Sequence, residues 1–194
     1  MKILLLVGND KIGRKLLNEI DLNRYVIAID KSTSYKRVLK LIKKKVISFS
    51  LVVKIFIAEL FRRNYKTPYM NKFYEVKNNN DLLEIIEQEN IDLVVIFRGG
   101  LIVNKQLLNK NIDILNIHCA KLPEYGGIGV IQRALDNKDY NQEATLYKIT
   151  EKIDDGEIIA TKSYMLNPNK SYMYNENLAY NTGINLFKEF FDNV

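Results

Sequence analysis

Residues 2–13 join an apolar run to a short polar turn and read Lys2-Ile3-Leu4-Leu5-Leu6-Val7-Gly8-Asn9-Asp10-Lys11-Ile12-Gly13. The run predicts a buried β-strand, and the helical spacing of the apolar residues after the turn predicts an α-helix. Residues 25–29 and 93–97 are two further apolar segments of strand length. Apolar strands separated by helices are typical of a parallel sheet covered on both faces. The sequence therefore predicts an open, mostly parallel α/β sheet.

The second half of the chain predicts more elements of this kind. Residues 114–118 are an apolar strand that turns polar at its carboxyl end, and residues 143–149 and 157–164 have strand-like composition. Asp81 and Glu84 resemble a capping box, which predicts a helix that begins at Asp81 and runs to Gln88. A last helix is predicted over residues 171–191. Its apolar stripe comprises Leu178, Leu186, Phe187, Phe190 and Phe191.

Length and composition limit the class of protein. A chain of 194 residues, 47% hydrophobic and 27% charged, is long enough for one domain with its own core, and we expect residues 1–194 to form a single domain. The single cysteine, Cys119, cannot form an internal disulfide, and no cleavable leader is evident. The apolar stretch 46–61 is interrupted by polar and charged residues and predicts no membrane span. We expect a cytoplasmic location.

Basic residues are concentrated in one part of the chain. There are 29 basic and 23 acidic residues, and the resulting charge of +6 favours anionic partners. Many lysines lie within residues 36–63, where their spacing predicts an amphipathic helix followed by a more apolar one. We expect a basic helical insertion after the second strand. Its lysines are either simply solvated or attract an anionic substrate, free or attached to a lipid at a membrane surface.

Asn116 and His118 are the candidate functional pair. They lie at the carboxyl end of a predicted strand, which is where open α/β sheets bind ligands. Their spacing of two puts both side chains on one face of the strand, so an amide and an imidazole can converge on one small group. Cys119 points to the other face and is assigned no catalytic role. The connection 122–127 contains a proline and two glycines, a composition typical of a binding loop.

Several motifs of the chain, in this order, are similar to those of one family. They are Asn116-Ile117-His118, Leu122-Pro123, Gly126, Ile131-Gln132-Arg133 and Asp154-Asp155-Gly156. Together they resemble the signature of the 10-formyltetrahydrofolate-dependent formyltransferases, and the set is far more specific than any one motif. The resemblance implies a Rossmann-like formyltransferase fold. It also implies transfer of a formyl group from 10-formyltetrahydrofolate to a primary amine.

The resemblance implies catalytic roles for Asn116, His118 and Asp154. Formyl transfer needs an attacking amine, a stabiliser for the oxyanion and a path for the proton of the amine. Asn116 can donate to the oxyanion. A cationic His118 can stabilise the same charge and protonate the leaving folate nitrogen, and a nearby carboxylate favours the charged imidazole. Asp155 competes with Asp154 on chemistry alone, and the family pattern selects Asp154. No metal site is implied.

The resemblance also implies a folate pocket, made by the backbone after the strand 93–97 and by the loop before Asp154. The predicted pocket residues are Gly100, Leu101, Ile102, Val103, Ile149 and Ile153. Ordinary core packing explains Leu101, Ile102 and Val103 about equally well when each side chain is taken singly. Arg98, beside the Gly99-Gly100 turn, departs from the family pattern.

The sequence favours one class of amine substrate over the others. The glycinamide ribonucleotide branch of the family carries a phosphate-binding loop after its first strand, and residues 7–11 lack that pattern. The initiator methionyl-tRNA branch usually carries a C-terminal barrel domain. An amino-sugar nucleotide remains, so we expect a small-molecule amine substrate. No RNA-binding signature is found, and no nucleic-acid partner is expected. A non-catalytic folate or nucleotide-sugar binding protein is the alternative from another class. A homodimer and a peripheral membrane contact stay open.

Overall fold

Seven strands form a single sheet. The computed structural model describes residues 1–33, 35–66, 68 and 73–192. Its strands are β1 Ile3–Gly8, β2 Tyr25–Asp30, β3 Tyr74–Val76, β4 Leu93–Phe97, β5 Asp113–His118, β6 Asn141–Lys148 and β7 Ile158–Met165. Their order is β3-β2-β1-β4-β5-β6-β7. Strands β1 to β5 pair in parallel, whereas β6 runs antiparallel to β5 and β7 runs antiparallel to β6. The predicted open, mostly parallel α/β sheet is confirmed.

Helices connect the strands. The described residues form α1 Lys11–Leu17, a short 3-10 helix Leu22–Arg24, α2 Tyr35–Lys43, α3 Phe49–Phe61, α4 Asn79–Glu89, α5 Lys105–Leu108, α6 Val130–Asp136 and α7 Tyr172–Phe191. Helices α2 and α3 follow β2 and lie within the basic segment. Among the residues that the structure describes, no helix is long and apolar enough to cross a membrane.

The core lies on both faces of the sheet. Because neighbouring strand residues point to opposite faces, Leu5 and Val7 of β1 lie in one apolar cluster, while Leu4 and Leu6 lie in another. The first cluster includes residues of α1, α6 and α7, and the second includes residues of α4. Continuous apolar strands are needed here because both faces of the sheet are covered.

The start of α4 differs from the prediction that Asp81 caps the helix and Glu84 completes the box. Asn78 is the N-cap, and its side chain accepts from the backbone N–H groups of Asn80 and Asp81. Asp81 completes the capping box by accepting from the N–H of Asn78. The prediction was wrong by three residues because asparagine caps a helix as well as aspartate, and aspartate can stand where glutamate is usual.

Candidate active site

Asn116 and His118 lie at the carboxyl end of β5, next to β6. In the antiparallel register of these two strands, Asn116 is directly opposite Tyr147. The side-chain amide of Asn116 donates to the hydroxyl of Tyr147 across this pair, at 3.1 Å. The pairing therefore gives the predicted asparagine a fixed neighbour at the end of the sheet.

Asp154 joins this group through the loop between β6 and β7. Its Oδ1 accepts from the Tyr147 hydroxyl at 2.6 Å, and its Oδ2 accepts from the backbone N–H of Gly127 at 2.6 Å. The backbone of Asp154 is left-handed, with φ of 52°. Gly156 permits the turn, because a Cβ at that position would lie 1.7 Å from the carbonyl oxygen of Lys148. The Asp-x-Gly motif thus folds back on β6 and aims the carboxylate at the strand ends.

His118 faces Asp154 across a short gap. Its Nε2 lies 2.7 Å from the carbonyl oxygen of Tyr125, so this nitrogen carries the proton and donates. Its Nδ1 lies 3.8 Å from Oδ2 of Asp154, and each side chain is 12% exposed. In the neutral tautomer Nδ1 and the carboxylate are both acceptors. A group with two N–H or O–H donors, such as water or a primary amine, can bridge these two acceptors from the side.

The charge of His118, which the sequence leaves open, depends on the surroundings of the ring. Burial lowers the pKa of the imidazole, while the Asp154 carboxylate and the Tyr125 carbonyl raise it; burial prevails, so the pKa lies below the ordinary 6.5. The expected influence of the carboxylate is present, but it does not offset the loss of hydration. His118 is therefore neutral at pH 7 in the free protein.

We expect nuclear magnetic resonance to show this low pKa directly, because His118 is the sole histidine of the chain. Its ring protons should titrate below pH 6.5, and Asp154→Asn should lower the pKa further by removing a carboxylate that raises it. Below pH 6.5 the unfolded state binds more protons than the folded state, so stability should fall as the pH decreases through that region. A pKa at or above 6.5, or a rise in the variant, would contradict this geometry.

Tyr147 is a member of the site that sequence reasoning missed. Burial and the hydrogen bond to Asp154 raise the pKa of its hydroxyl, so the group stays protonated and links Asn116 to Asp154. Arg133, part of the family-like motif, donates to the carbonyl oxygen of Gly126 and so braces the loop. Only the register between β5 and β6 identifies Tyr147, and no local pattern fixes that register.

The competing residues have other partners. Asp155 is exposed and pairs with Lys152, so it does not join the group around Asp154. Cys119 is buried, and burial raises the pKa of its thiol to about 12.

The residues predicted to hold the folate divide into two groups. Leu101, Val103 and Ile149 pack against the same apolar cluster, which brings the two predicted halves of the pocket to one face of the sheet. Ile102 and Ile153 are instead exposed, at 56% and 64%. The loop after β4 is held by hydrogen bonds of its backbone. The N–H groups of Gly100 and Leu101 donate to the carboxylate of Asp30, and the carbonyl of Gly100 accepts from Arg37. The predicted pocket is therefore part core and part exposed edge.

The turn after β1 is closed by charged groups. Asp10 caps α1 by accepting from the N–H of Gly13 at 2.8 Å, and the guanidinium of Arg98 donates to the same carboxylate. Burial opposes ionisation of Asp10, but Arg98 and the Gly13 bond prevail and lower its pKa. The backbone N–H of Lys11, the first residue of α1, donates to the carboxylate of Glu59. Arg98, which departs from the family pattern, thus neutralises a partly buried carboxylate at the N-terminus of α1.

Comparison with known proteins shows the family. The model of the formyl transferase family matches residues 1–180, and the chain belongs to that family. Methionyl-tRNA formyltransferase of Fervidobacterium nodosum is 31% identical over 121 residues, which are 62% of this chain and 39% of that protein. The match therefore spans about two fifths of the length of that relative.

Solved structures share the fold. Phosphoribosylglycinamide formyltransferase from Streptococcus pneumoniae superposes with a TM-score of 0.66 at 21% identity, covering 99% of this chain and 97% of that chain. A sugar N-formyltransferase from Shewanella superposes with a TM-score of 0.64 at 19% identity, covering 97% of this chain and 68% of that chain. At such identities the likeness concerns the fold alone.

Proposed function

We propose that this chain transfers the formyl group of 10-formyltetrahydrofolate to the primary amine of an amino-sugar nucleotide. The observation that carries the proposal is the gap between Nδ1 of His118 and the carboxylate of Asp154, two acceptors 3.8 Å apart. A primary amine placed there donates to both and is held with its lone pair free to attack. Membership of the formyl transferase family agrees with this chemistry.

The reaction needs one proton to travel from the amine to the folate. Attack of the amine on the formyl carbon forms a carbon–nitrogen bond, leaving positive charge on the amine nitrogen and negative charge on the formyl oxygen. Neutral His118 takes the amine proton on Nδ1, assisted by Asp154, and the imidazolium so formed is stabilised by that carboxylate. The same proton then passes to N10 of the folate as the carbon–N10 bond breaks, which gives the formamide and tetrahydrofolate.

Asn116 stabilises the oxyanion in this proposal. One N–H of its side-chain amide donates to the hydroxyl of Tyr147, which fixes the orientation of the amide. The second N–H is then directed at the developing charge, and a preorganised donor of this kind lowers the barrier without reorganising during the reaction. Tyr147 acts as a positioning residue, because it holds both Asn116 and Asp154.

The nature of the amine is inferred from the turn after β1. A phosphate bound at the N-terminus of α1 would use the N–H groups that Asp10 and Glu59 already occupy, and it would meet two carboxylates. This arrangement disfavours glycinamide ribonucleotide. An amino-sugar nucleotide, whose phosphates lie farther from the amine, does not require that position.

Initiator methionyl-tRNA is the second candidate. It is favoured by the 31% identity to a methionyl-tRNA formyltransferase, and the positive charge of the chain suits a nucleic-acid substrate.

The two candidates are separated by incubating the protein with 10-formyltetrahydrofolate and each amine in turn. The amines are a panel of amino-sugar nucleotides, glycinamide ribonucleotide and charged initiator methionyl-tRNA. We expect tetrahydrofolate to be released with an amino-sugar nucleotide at a kcat/KM at least roughly 100-fold above the others, as for a site built around one substrate. Turnover with methionyl-tRNA alone would replace the first candidate by the second. Release with none of them, despite folate binding, would favour the non-catalytic alternative.

A further inference from the structure

Helix α3 carries a row of exposed apolar side chains. Phe49, Val53, Phe56 and Leu60 recur at helical spacing, and Phe49 and Phe56 are 69% and 67% exposed. We define the apolar face of α3 as these four residues with three exposed neighbours, Val46, Ile57 and Phe61. A contiguous apolar patch on a protein surface marks a site of contact with another molecule or a membrane.

The outward position of this face is fixed by the other side of the helix. Leu51 and Ala58 are buried beneath it. Arg62, directly after α3, forms an ion pair with buried Glu176 of α7, and Glu59 accepts from the N–H of Lys11. These bonds prevent α3 from rotating to bury its outer side chains. The apolar face is therefore a lasting feature of the folded surface.

The positive charge of the chain is concentrated in the sequence segment that contains this helix. Residues 36–66 contain ten of the 29 basic residues and one of the 23 acidic residues, so this segment carries +9 and the rest of the chain carries −3. Five exposed lysines form no ion pair within the part of the chain that the structure describes. They are Lys36, Lys40, Lys43, Lys44 and Lys45. Basic side chains beside an apolar helical face are the combination that binds anionic lipid headgroups.

We propose that the apolar face of α3 docks on an anionic membrane surface. Its phenylalanine and aliphatic side chains enter the boundary between headgroups and acyl chains, while the lysines of the segment 36–45 contact lipid phosphates. A second copy of this chain is a poorer occupant, because two such faces would bring two segments of +9 together. Lipid phosphates supply the opposite charge.

The location of α3 connects this docking to the candidate active site. Leu51 lies directly over Gly129, since a Cβ at Gly129 would be 2.6 Å from its Cδ2, and Lys54 donates to Gln132. Gly129 is two residues from Gly127, whose N–H binds Asp154. Docking would thus hold the site, and the transfer of the formyl group to its amine substrate, near the membrane. That last step rests on the proposed function, whereas membrane binding itself does not.

The test is co-sedimentation of the purified protein with vesicles. We expect binding to vesicles of phosphatidylglycerol mixed with phosphatidylcholine, weak binding to phosphatidylcholine alone, and loss of binding as salt shortens the screening length from roughly 30 Å at 0.01 M to roughly 3 Å at 1 M. Replacing Lys43, Lys44 and Lys45 with glutamine should lower the partition coefficient on the order of 100-fold. The double change Phe49→Gln and Phe56→Gln should lower it by at least roughly 10-fold.

Two matched variants serve as controls. The first control removes the same charge from other parts of the surface by replacing Lys105, Lys110 and Lys170 with glutamine. The second control alters exposed apolar residues of β7 through Ile158→Gln with Met165→Gln. Both should bind vesicles as the wild type does. Equal losses in control and test variants, or no binding to phosphatidylglycerol vesicles at low salt, would overturn the proposal. Analytical ultracentrifugation gives a further outcome that would overturn it. The wild type would form a dimer, and Phe49→Gln with Phe56→Gln would dissociate this dimer without changing lipid binding.

Discussion

Asp154→Asn is expected to lower kcat/KM for formyl transfer on the order of 100-fold or more, with the fold intact. The amide keeps the size of the carboxylate, and asparagine tolerates the left-handed backbone of this position. The substitution removes the charge that stabilises a protonated His118, and the neutral amide oxygen that replaces the carboxylate is a weaker acceptor for the amine. His118→Asn should have an effect of similar size, because it removes the proton carrier. Steady-state rates of tetrahydrofolate release measure both.

Asp155→Asn provides the matched control for this experiment. Asp155 is the next residue along the same loop, but it is exposed and pairs with Lys152 instead of the site. Its variant should retain wild-type kcat/KM. Near-native turnover by a folded Asp154→Asn protein, or an equal loss in the two variants, would remove Asp154 from the reaction.

Arg62→Met is expected to destabilise the protein by roughly 3–5 kcal/mol, because it leaves the carboxylate of Glu176 buried without its cation. The side chain of Arg62 is 7% exposed and that of Glu176 is 3% exposed, and Arg62 Nη2 donates to Glu176 at 2.5 Å. Arg62 also donates to Glu59 and Asn177, so it ties the end of α3 to α7. Urea unfolding followed by circular dichroism gives the free energy.

Two further variants test whether the buried charge causes this loss of stability. Lys105→Met breaks the pair of Lys105 with Glu151, whose side chains are 74% and 61% exposed, and should change stability by about 0.5 kcal/mol or less. Combining Arg62→Met with Glu176→Leu should recover most of the stability, because no charge is then left buried. A single Arg62→Met variant as stable as the wild type would show that water reaches Glu176.

Much of the sheet could be predicted because buried parallel strands need apolar residues on both faces. The runs 2–7, 93–97 and 114–118 meet that requirement and correspond to β1, β4 and β5. Strand β3 could not be predicted, since its three residues are too few to show a period and its pairing with β2 depends on distant parts of the chain. Helices α5 and α6 have only four and seven residues, which are too few to show a clear helical period of apolar residues.

The candidate site could be predicted only in part. The order of motifs was sufficient to select Asn116, His118 and Asp154, which the fold brings to one end of β5 and β6. Tyr147 was missed, because its place opposite Asn116 is set by strand register. The sequence also left the charge of His118 open, because this charge results from competition between burial and a carboxylate, and the depth of burial is a property of the folded chain.

In the proposed reaction, an amine that bridges His118 and Asp154 receives the formyl group. The most direct measurement supplies 10-formyltetrahydrofolate with an isotopic label in the formyl carbon, with and without an amino-sugar nucleotide, and follows the label by mass spectrometry. We expect the label to appear as a formamide on the sugar, in equal amount to the tetrahydrofolate released, and we expect little release without the amine. Label recovered as free formate at the same rate with and without the amine would contradict it.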